Sequence, residues 1–255
     1  MFSVGNEREH QITGSARGAY PTVAIWVALL IGGCGGGQGA SGTSPTASSA
    51  ASVAPSPTVR PLRDLGGTAI LDPGTYVLDR FPVHFAFDIP EGDPPGWHVG
   101  RSTTDAAIVL WYTPPEITYG FAFWNADNVY VDPCNAAAGE LEPPIGPSVD
   151  DFVAAVSDLA EFRATAPMDV TVGAFRGKEI ELTALDSGGD CPEVIAWSAG
   201  DDRLDLSPGE TRHVQVLDVN GVRIVMLTIE PAQPDAAVEA ELQQVLDSIR
   251  IEPPS

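Results

Sequence analysis

Short segments in which apolar and polar residues alternate recur along this chain. A period of two places successive side chains on opposite faces of a strand, which is the pattern of a half-buried β-strand. Such segments cover Val83–Ile89 and Tyr119–Phe123. Val214–Ile229 contains two β-branched runs separated by Asn220-Gly221, the residue pair of a tight hairpin turn. These patterns predict a sheet built mainly from antiparallel strands.

Four further segments are predicted to add strands. Ala106–Tyr112 is a continuous apolar run, which is typical of a strand inside a sheet that is buried on both faces. Val129–Val131 is expected to pair back onto the strand that ends at residue 123. Val170–Leu182 is expected to form two short strands around Arg176–Lys178, and Val194–Trp197 to form one more.

Two segments show helical spacing. Ser148 is a suitable N-cap for a helix that runs to about Phe162, because Asp150 and Asp151 in its first turn complement the helix dipole. A second helix is predicted to begin near Asp235. Its apolar residues are Val238, Leu242, Val245, Leu246 and Ile249. Strands with helices at mid-chain and at the C-terminus predict an α+β fold, a mainly antiparallel curved sheet with two principal helices packed on it.

Near the N-terminus, an apolar run from Val23 to Ile31 is followed by Gly32, Gly33 and Cys34. A helix that crosses a bilayer needs about 20 apolar residues, so this shorter run fits the core of a signal peptide. Two small residues before a cysteine are typical of bacterial lipoprotein signals. We therefore predict cleavage between Gly33 and Cys34 and lipidation of Cys34 with acyl chains such as palmitate, which would anchor the protein stably.

The sequence therefore predicts three regions. Residues 1–33 form the lipoprotein signal peptide, although the charged side chains of its first 22 residues sum to zero and the true start codon stays open. Residues 34–63 comprise the lipidated cysteine and a tether rich in Gly, Ser, Ala and Pro, a composition that favours disorder. Residues 64–255 form a single globular α+β domain. The expected location is the extracytoplasmic side of the cell membrane.

The formal net charge of −22 limits the function classes. Nucleic-acid binding depends on Lys and Arg that neutralise phosphates, and this chain has one lysine, Lys178, and no basic cluster. The same charge disfavours electrostatic attachment to anionic lipid. A solvated acidic surface favours solubility and a monomer, or a basic partner. No nucleic-acid partner is expected.

The remaining two cysteines, Cys134 and Cys191, are predicted to form a disulfide, because an even pair in an exported domain is typical of one. Closing a loop of about 58 residues would stabilise the domain by about 4 kcal/mol in the simple chain-entropy treatment. Both cysteines neighbour prolines in loop-like sequence, so we expect them to join two loops at one end of the sheet.

Motifs for catalysis and for metal or cofactor binding are not found, so no catalytic residue, metal or cofactor is predicted. The chain has no Gly-x-Ser-x-Gly, phosphate-loop, zinc-protease or dinucleotide motif and no Cys-x-x-Cys. His84, His98 and His213 lack the paired spacing of zinc ligands. Asp201, Asp202 and Asp205 could gather around calcium but lack the spacing of a calcium loop. A solvated acidic turn is the preferred interpretation of these three aspartates.

Aromatic residues are concentrated in one stretch of 34 residues. They are Trp97, Trp111, Tyr112, Tyr119, Phe121, Phe123, Trp124 and Tyr130. If some of them line a concave face, they could stack on a sugar or hold an acyl chain, and we consider Trp97, Trp111, Tyr112 and Trp124 candidates for ligand binding. The alternative, which is commoner for aromatics at strand spacing, is that they build the core.

Several short motifs occur together between residues 65 and 253. They are Gly74-Thr-Tyr76, Ile89-Pro90, Gly96-Trp97, Val129-Tyr-Val-Asp-Pro-Cys134, Gly173 to Gly177, Cys191 and Leu246-Asp-Ser-Ile-Arg250. Together they resemble a family of secreted or lipidated bacterial proteins, some of which share the PsbP-like α/β/α sandwich of the lipoprotein LpqN. The resemblance implies that fold. It offers no catalytic residues to carry over.

Three functions remain after sequence analysis. The favoured one is a non-enzymatic envelope lipoprotein that binds a small ligand or a partner protein. The alternatives are a structural or accessory scaffold of an envelope complex and a hydrolase with a dispersed site. An apolar, solvent-open pocket would favour ligand binding, whereas a cleft with a buried carboxylate near a histidine would favour the enzyme.

Overall fold

The computed structural model describes residues 59–65, 69–91, 96–113, 116–186, 191, 193–231 and 235–252. Of the side chains in these ranges, those of residues 64, 112, 113 and 116–118 are outside the description. All described residues belong to the compact unit Ala54–Ser255. The predicted signal peptide and Cys34 lie outside the described residues. No described helix is long and apolar enough to cross a membrane.

Strands dominate the described residues. They are β1 (Val59–Pro61), β2 (Gly74–Leu78), β3 (His84–Ile89), β4 (Trp97–Ser102), β5 (Ala106–Thr113), β6 (Glu116–Trp124), β7 (Phe162–Ala164), β8 (Met168–Val172), β9 (Phe175–Ala184), β10 (Val194–Ala199), β11 (Asp202–Leu206), β12 (Thr211–Val219), β13 (Val222–Ile229) and β14 (Arg250–Glu252). The two α-helices are α1 (Val149–Ser157) and α2 (Ala236–Asp247), and two short 3-10 helices cover Leu62–Asp64 and Ala136–Ala138.

The central element is a large antiparallel sheet with the order β4-β5-β6-β13-β12-β9-β7, in which β8 also pairs with β9. Its middle strands carry apolar side chains on both faces because both faces are covered. In β6, for example, Phe121 and Phe123 point into one core and Ala122 and Trp124 into the other. The predicted class, an α+β fold with a mainly antiparallel sheet, is confirmed.

One face of the large sheet is covered by α2 and a second sheet with the order β1-β2-β3-β14. We call the apolar layer between them the first core; it includes Tyr76, Phe85, Phe87, Trp97 and Trp111. The predicted alternation in Val83–Ile89 places its phenylalanines here. Leu62, which the sequence assigned to the tether, is fully buried in this core. The folded part therefore begins no later than residue 59, because β1 pairs with β2.

The opposite face of the large sheet is covered by α1 and by the antiparallel pair β10–β11. We call this layer the second core; Phe152, Trp124 and Trp197 are its largest fully buried side chains. Ser148 caps α1 as predicted, and its hydroxyl and the Asp151 carboxylate form a reciprocal capping box. The hydrogen bonds from Ser148 lower the pKa of Asp151.

Three predictions about local structure are wrong. The first helix ends at Ser157 and not near Phe162, because Phe162 instead pairs with Ala184 and is buried in the second core. The second wrong prediction is the turn around Arg176–Lys178. The turn between β8 and β9 lies instead at Gly173, whose φ of +58° favours glycine. Gly177 lies inside β9 instead, where a Cβ atom would come within 2.0 Å of the Val216 carbonyl oxygen.

The third wrong prediction is the pairing of Val129–Val131 with β6. Asn128 bridges to Ser198 in β10, and Tyr130 bridges to Glu140. The partners of β6 are β5 and β13, and the apolar side chains of β13 alternate between the two cores as a central strand requires. Two strands that are far apart in sequence thus form the middle of the sheet.

Candidate ligand-binding groove

The first face of the large sheet changes from apolar to polar along β12. Leu217 and Val219 lie in the first core, so alternation places His213 and Gln215 on the same face. The opposing residues on β9 are Glu181 for His213 and Glu179 for Gln215. Directly paired residues share a face, so this end of β12 and β9 presents a polar surface next to the first core.

This polar part of the face stays uncovered because of where α2 lies. The helix packs on β3 and β6, and β13 separates β6 from β12. The side of α2 therefore forms a wall beside β12 and does not cover it. A groove of about 520 Å³ lies between the helix, the sheet and the end of β8, a volume in the range of small-molecule sites.

The groove has an apolar floor and a polar rim. Its lining consists of Thr171, Val172, Gly173, Glu179, His213, Gln215, Met226, Leu227, Thr228, Glu230, Gln243, Leu246, Asp247 and Ile249. Met226 and Ile249 belong to the first core, and Leu246 packs against it. The groove is therefore continuous with the hydrophobic interior at its base.

Acidic groups dominate the charge of the rim. Glu179, Glu230 and Asp247 line the groove, whereas none of the described lining residues is Lys or Arg. Two of the carboxylates are held by amides: Gln215 Nε2 donates to Glu179 Oε2 at 2.7 Å, and Gln243 Nε2 donates to Asp247 Oδ1 at 2.7 Å. These hydrogen bonds orient the two carboxylates beside the apolar floor.

A histidine and a carboxylate also meet beside the groove. His213 Nδ1 lies 3.7 Å from Glu181 Oε1, but the side chains are 45% and 51% exposed. A buried carboxylate next to a histidine would have favoured a hydrolase, and this pair does not have that burial. We therefore assign no catalytic residue to it.

The candidate aromatic residues do not line this groove. Trp97 and Trp111 are buried in the first core with their rings 5.7 Å apart, and Trp97 Nε1 donates to Glu241 Oε1 at 2.8 Å. Trp124 is buried in the second core, on the other side of the sheet. The side chain of Tyr112 lies outside the described residues. In this arrangement these three tryptophans stabilise the fold, and no ligand-binding role is proposed for them.

The predicted disulfide is confirmed. Cys134 and Cys191 are joined, with their Cα atoms 5.1 Å apart. Cys134 lies in the turn region before α1, and Cys191 precedes β10. Carboxylates of Asp132 and Glu161 lie close to Cys134, but a sulfur in a disulfide is not the thiolate that binds metals.

The aspartates considered for calcium do not gather around one point. Asp202 accepts a hydrogen bond of 2.7 Å from the Thr103 hydroxyl and pairs with Arg101. Asp205 pairs with Arg203 at 2.9 Å. Asp202 therefore joins β11 to the end of β4, which is a structural role.

A second cleft, of about 470 Å³, lies at the start of α1 and contains three cations. Lys178 pairs with Asp169 at 2.7 Å, and this hydrogen bond raises the pKa of Lys178 and lowers that of Asp169. Arg223 donates to the carbonyls of Gly146 and Ala126, and burial lowers its pKa. Arg176 is exposed. Two of the three cations are thus already engaged within the protein, and the acidic groove is the stronger candidate site.

No family model matches the chain, and no curated protein matches it either. One solved structure to which it is similar is a crystal structure of a Bacteroides thetaiotaomicron protein, at 11% sequence identity and a TM-score of 0.33. That similarity covers 65% of this chain and 44% of the other, so the chain spans less than half of its length.

Proposed function

We propose that this protein is a non-enzymatic, lipid-anchored binding protein of the cell envelope, attached through Cys34 and binding its ligand in the groove between α2, β12 and β13. The anchor follows from the apolar run and the Gly-Gly-Cys sequence at its end. The PsbP-like sandwich is part of the same proposal. It is supported by the antiparallel sheet with two helices.

The observation that carries the binding function is the groove itself. Elsewhere, α2 and the second sheet bury the first face of the large sheet, whereas polar residues at this end keep it accessible. A concave site with an apolar floor and a few polar groups is what a small-ligand site requires. The exposed His213–Glu181 pair gives the hydrolase alternative no comparable support.

Filling the groove tests the binding function. Gln243 is an exposed groove residue on α2, and its neighbour Gln244 is also exposed but does not line the groove. Gln243→Trp is expected to abolish the thermal stabilisation by any ligand found among envelope sugars, lipids, metals and peptides, whereas Gln244→Trp retains it. A saturating ligand at 100 times its Kd stabilises by about 2.7 kcal/mol, which thermal unfolding detects. Identical ligand responses in both variants would place binding outside the groove.

Replacing the predicted lipid attachment site tests the anchor. Cys34→Ser retains a small polar side chain but lacks the thiol that would carry the acyl chains. We expect the wild-type chain to incorporate a palmitate analogue and sediment with membranes, and the variant to do neither. The matched control is the Cys134→Ser chain, which retains Cys34 and is expected to be labelled. Labelling of the Cys34→Ser chain would contradict the anchor while leaving the groove proposal intact.

A further inference from the structure

We propose that the ligand of the groove is a small linear aliphatic polyamine, a class of molecule in which ammonium groups are joined by methylene chains. This inference rests on the proposed binding function and names the class of its ligand. It follows from three properties of the lining: its charge, the chemistry of its floor and its size.

The charge of the lining favours a cationic ligand. Glu179, Glu230 and Asp247 supply three carboxylates, and among the described lining residues the only basic side chain is that of His213. An anionic ligand would meet these carboxylates without a compensating Lys or Arg among the described lining residues. A cleft lined by one sign of charge raises the local concentration of oppositely charged ligands.

The side chains on the floor of the groove favour a cationic ligand that is aliphatic. Val172, Met226, Leu246 and Ile249 are aliphatic or thioether side chains, and none of the described lining residues is Phe, Tyr or Trp. A sugar would find no Trp, Tyr or Phe ring on which to stack, a nucleobase would find only the half-exposed imidazole of His213, and a quaternary ammonium would find no aromatic cage. Methylene chains bury well on such a floor, at about 0.8 kcal/mol per buried CH₂.

The arrangement of the acids suits several ammonium groups on one chain. Glu179 projects from β9, Glu230 follows β13, and Asp247 is the last residue of α2. The three carboxylates thus come from different elements around the apolar floor, so a linear molecule that crosses the floor can reach more than one. The volume of about 520 Å³ holds such a small molecule.

Spermidine is the probe for this inference, titrated calorimetrically into the full chain in a neutral detergent. We expect saturable binding that weakens as NaCl rises from about 50 to 300 mM, because salt screens charge pairs. The uncharged analogue 1,8-octanediol offers methylenes without ammonium groups and is expected to bind at least about 10-fold more weakly.

Rim variants identify the carboxylates that carry binding. Glu179→Gln and Asp247→Asn are each expected to weaken spermidine binding about 2- to 5-fold, the range for exposed charge pairs. The matched control Asp201→Asn removes one carboxylate from the β10–β11 turn, on the other face of the large sheet, and is expected to leave the affinity unchanged. Equal weakening in all three variants would show attraction to the overall charge and overturn the inference.

The failures of the two proposals are distinguishable. If spermidine does not bind but another compound does and Gln243→Trp blocks it, the polyamine inference is overturned and the groove remains the binding site. A lysine-containing peptide that binds more tightly than spermidine in the same assay would overturn it in favour of a basic protein partner. If no compound binds in a manner sensitive to Gln243→Trp, both proposals fail.

Discussion

Replacing Trp97 by alanine is expected to lower the free energy of unfolding by about 3 to 5 kcal/mol, the range for deleting a large buried aromatic side chain. The ring is 1% exposed and packs edge-on against Trp111, with Phe121 as a further ring neighbour. Truncation would leave a cavity between the large sheet and α2. Urea unfolding at neutral pH measures the loss directly.

Two partner variants separate the hydrogen bond of Trp97 from its packing. Trp97 Nε1 donates to Glu241 Oε1 on α2 at 2.8 Å. Glu241→Ala leaves that N–H without its acceptor and is expected to cost about 1 to 3 kcal/mol. Glu241→Gln retains an acceptor oxygen and should cost less. If Trp97→Ala and Glu241→Ala destabilise equally, the hydrogen bond and not the ring would carry the contribution.

An exposed apolar residue provides the control for burial. Ile70 is 64% exposed although it bridges to His98 beside Trp97. Ile70→Ala is expected to change stability by less than about 1 kcal/mol, because little apolar area leaves water there on folding. A loss at Trp97 as small as this would mean that the ring does not support the first core, and its ligand-binding interpretation would return.

Elements with a strong local signal are predictable from this sequence. Asn220-Gly221 forms the turn between β12 and β13, with both residues at positive φ as a two-residue hairpin turn requires. Ser148 caps α1 and Asp235 caps α2, each with its side chain. In each case the residues that decide the structure lie within a few positions of one another.

Arrangements that depend on distant residues are not predictable in this way. The alternation of β6 shows that it is a strand and that Phe121 and Trp124 lie on opposite faces, but elements distant in sequence cover those faces and make each one a separate core. This separation divides the aromatic concentration in the sequence between two layers. The pattern of residues along a strand indicates which side chains share a face, but it does not indicate which other elements cover that face.

The groove is the clearest example of this limit. Its sequence signal is the change from His213 and Gln215 to Leu217 and Val219 on one face of β12, which indicates where burial ends. That change is visible beforehand, but it is equally compatible with an ordinary solvated strand end. It becomes a candidate site only because α2 places Gln243, Leu246 and Asp247 on the other side of a groove from β12.

Removing the disulfide is expected to produce the other large loss of stability. The double variant Cys134→Ser/Cys191→Ala, with alanine at the position that is 1% exposed, is expected to be less stable than the wild-type chain by about 2 to 5 kcal/mol. The two cysteines are 57 residues apart and enclose α1, β7, β8 and β9. Without the bond, the unfolded chain gains the conformational freedom of this loop.

Reductant provides the internal control for the disulfide. Dithiothreitol should lower the unfolding midpoint of the wild-type chain towards that of the double variant, and should leave the variant unchanged. A reductant effect on the variant would trace the loss to another cause. No loss in either case would mean that packing of the second core alone holds the loop. If stability depends on the disulfide in this way, the domain is most stable in an oxidising compartment, where such a bond persists. An exported domain satisfies that condition, so the experiment also bears on the proposed envelope location.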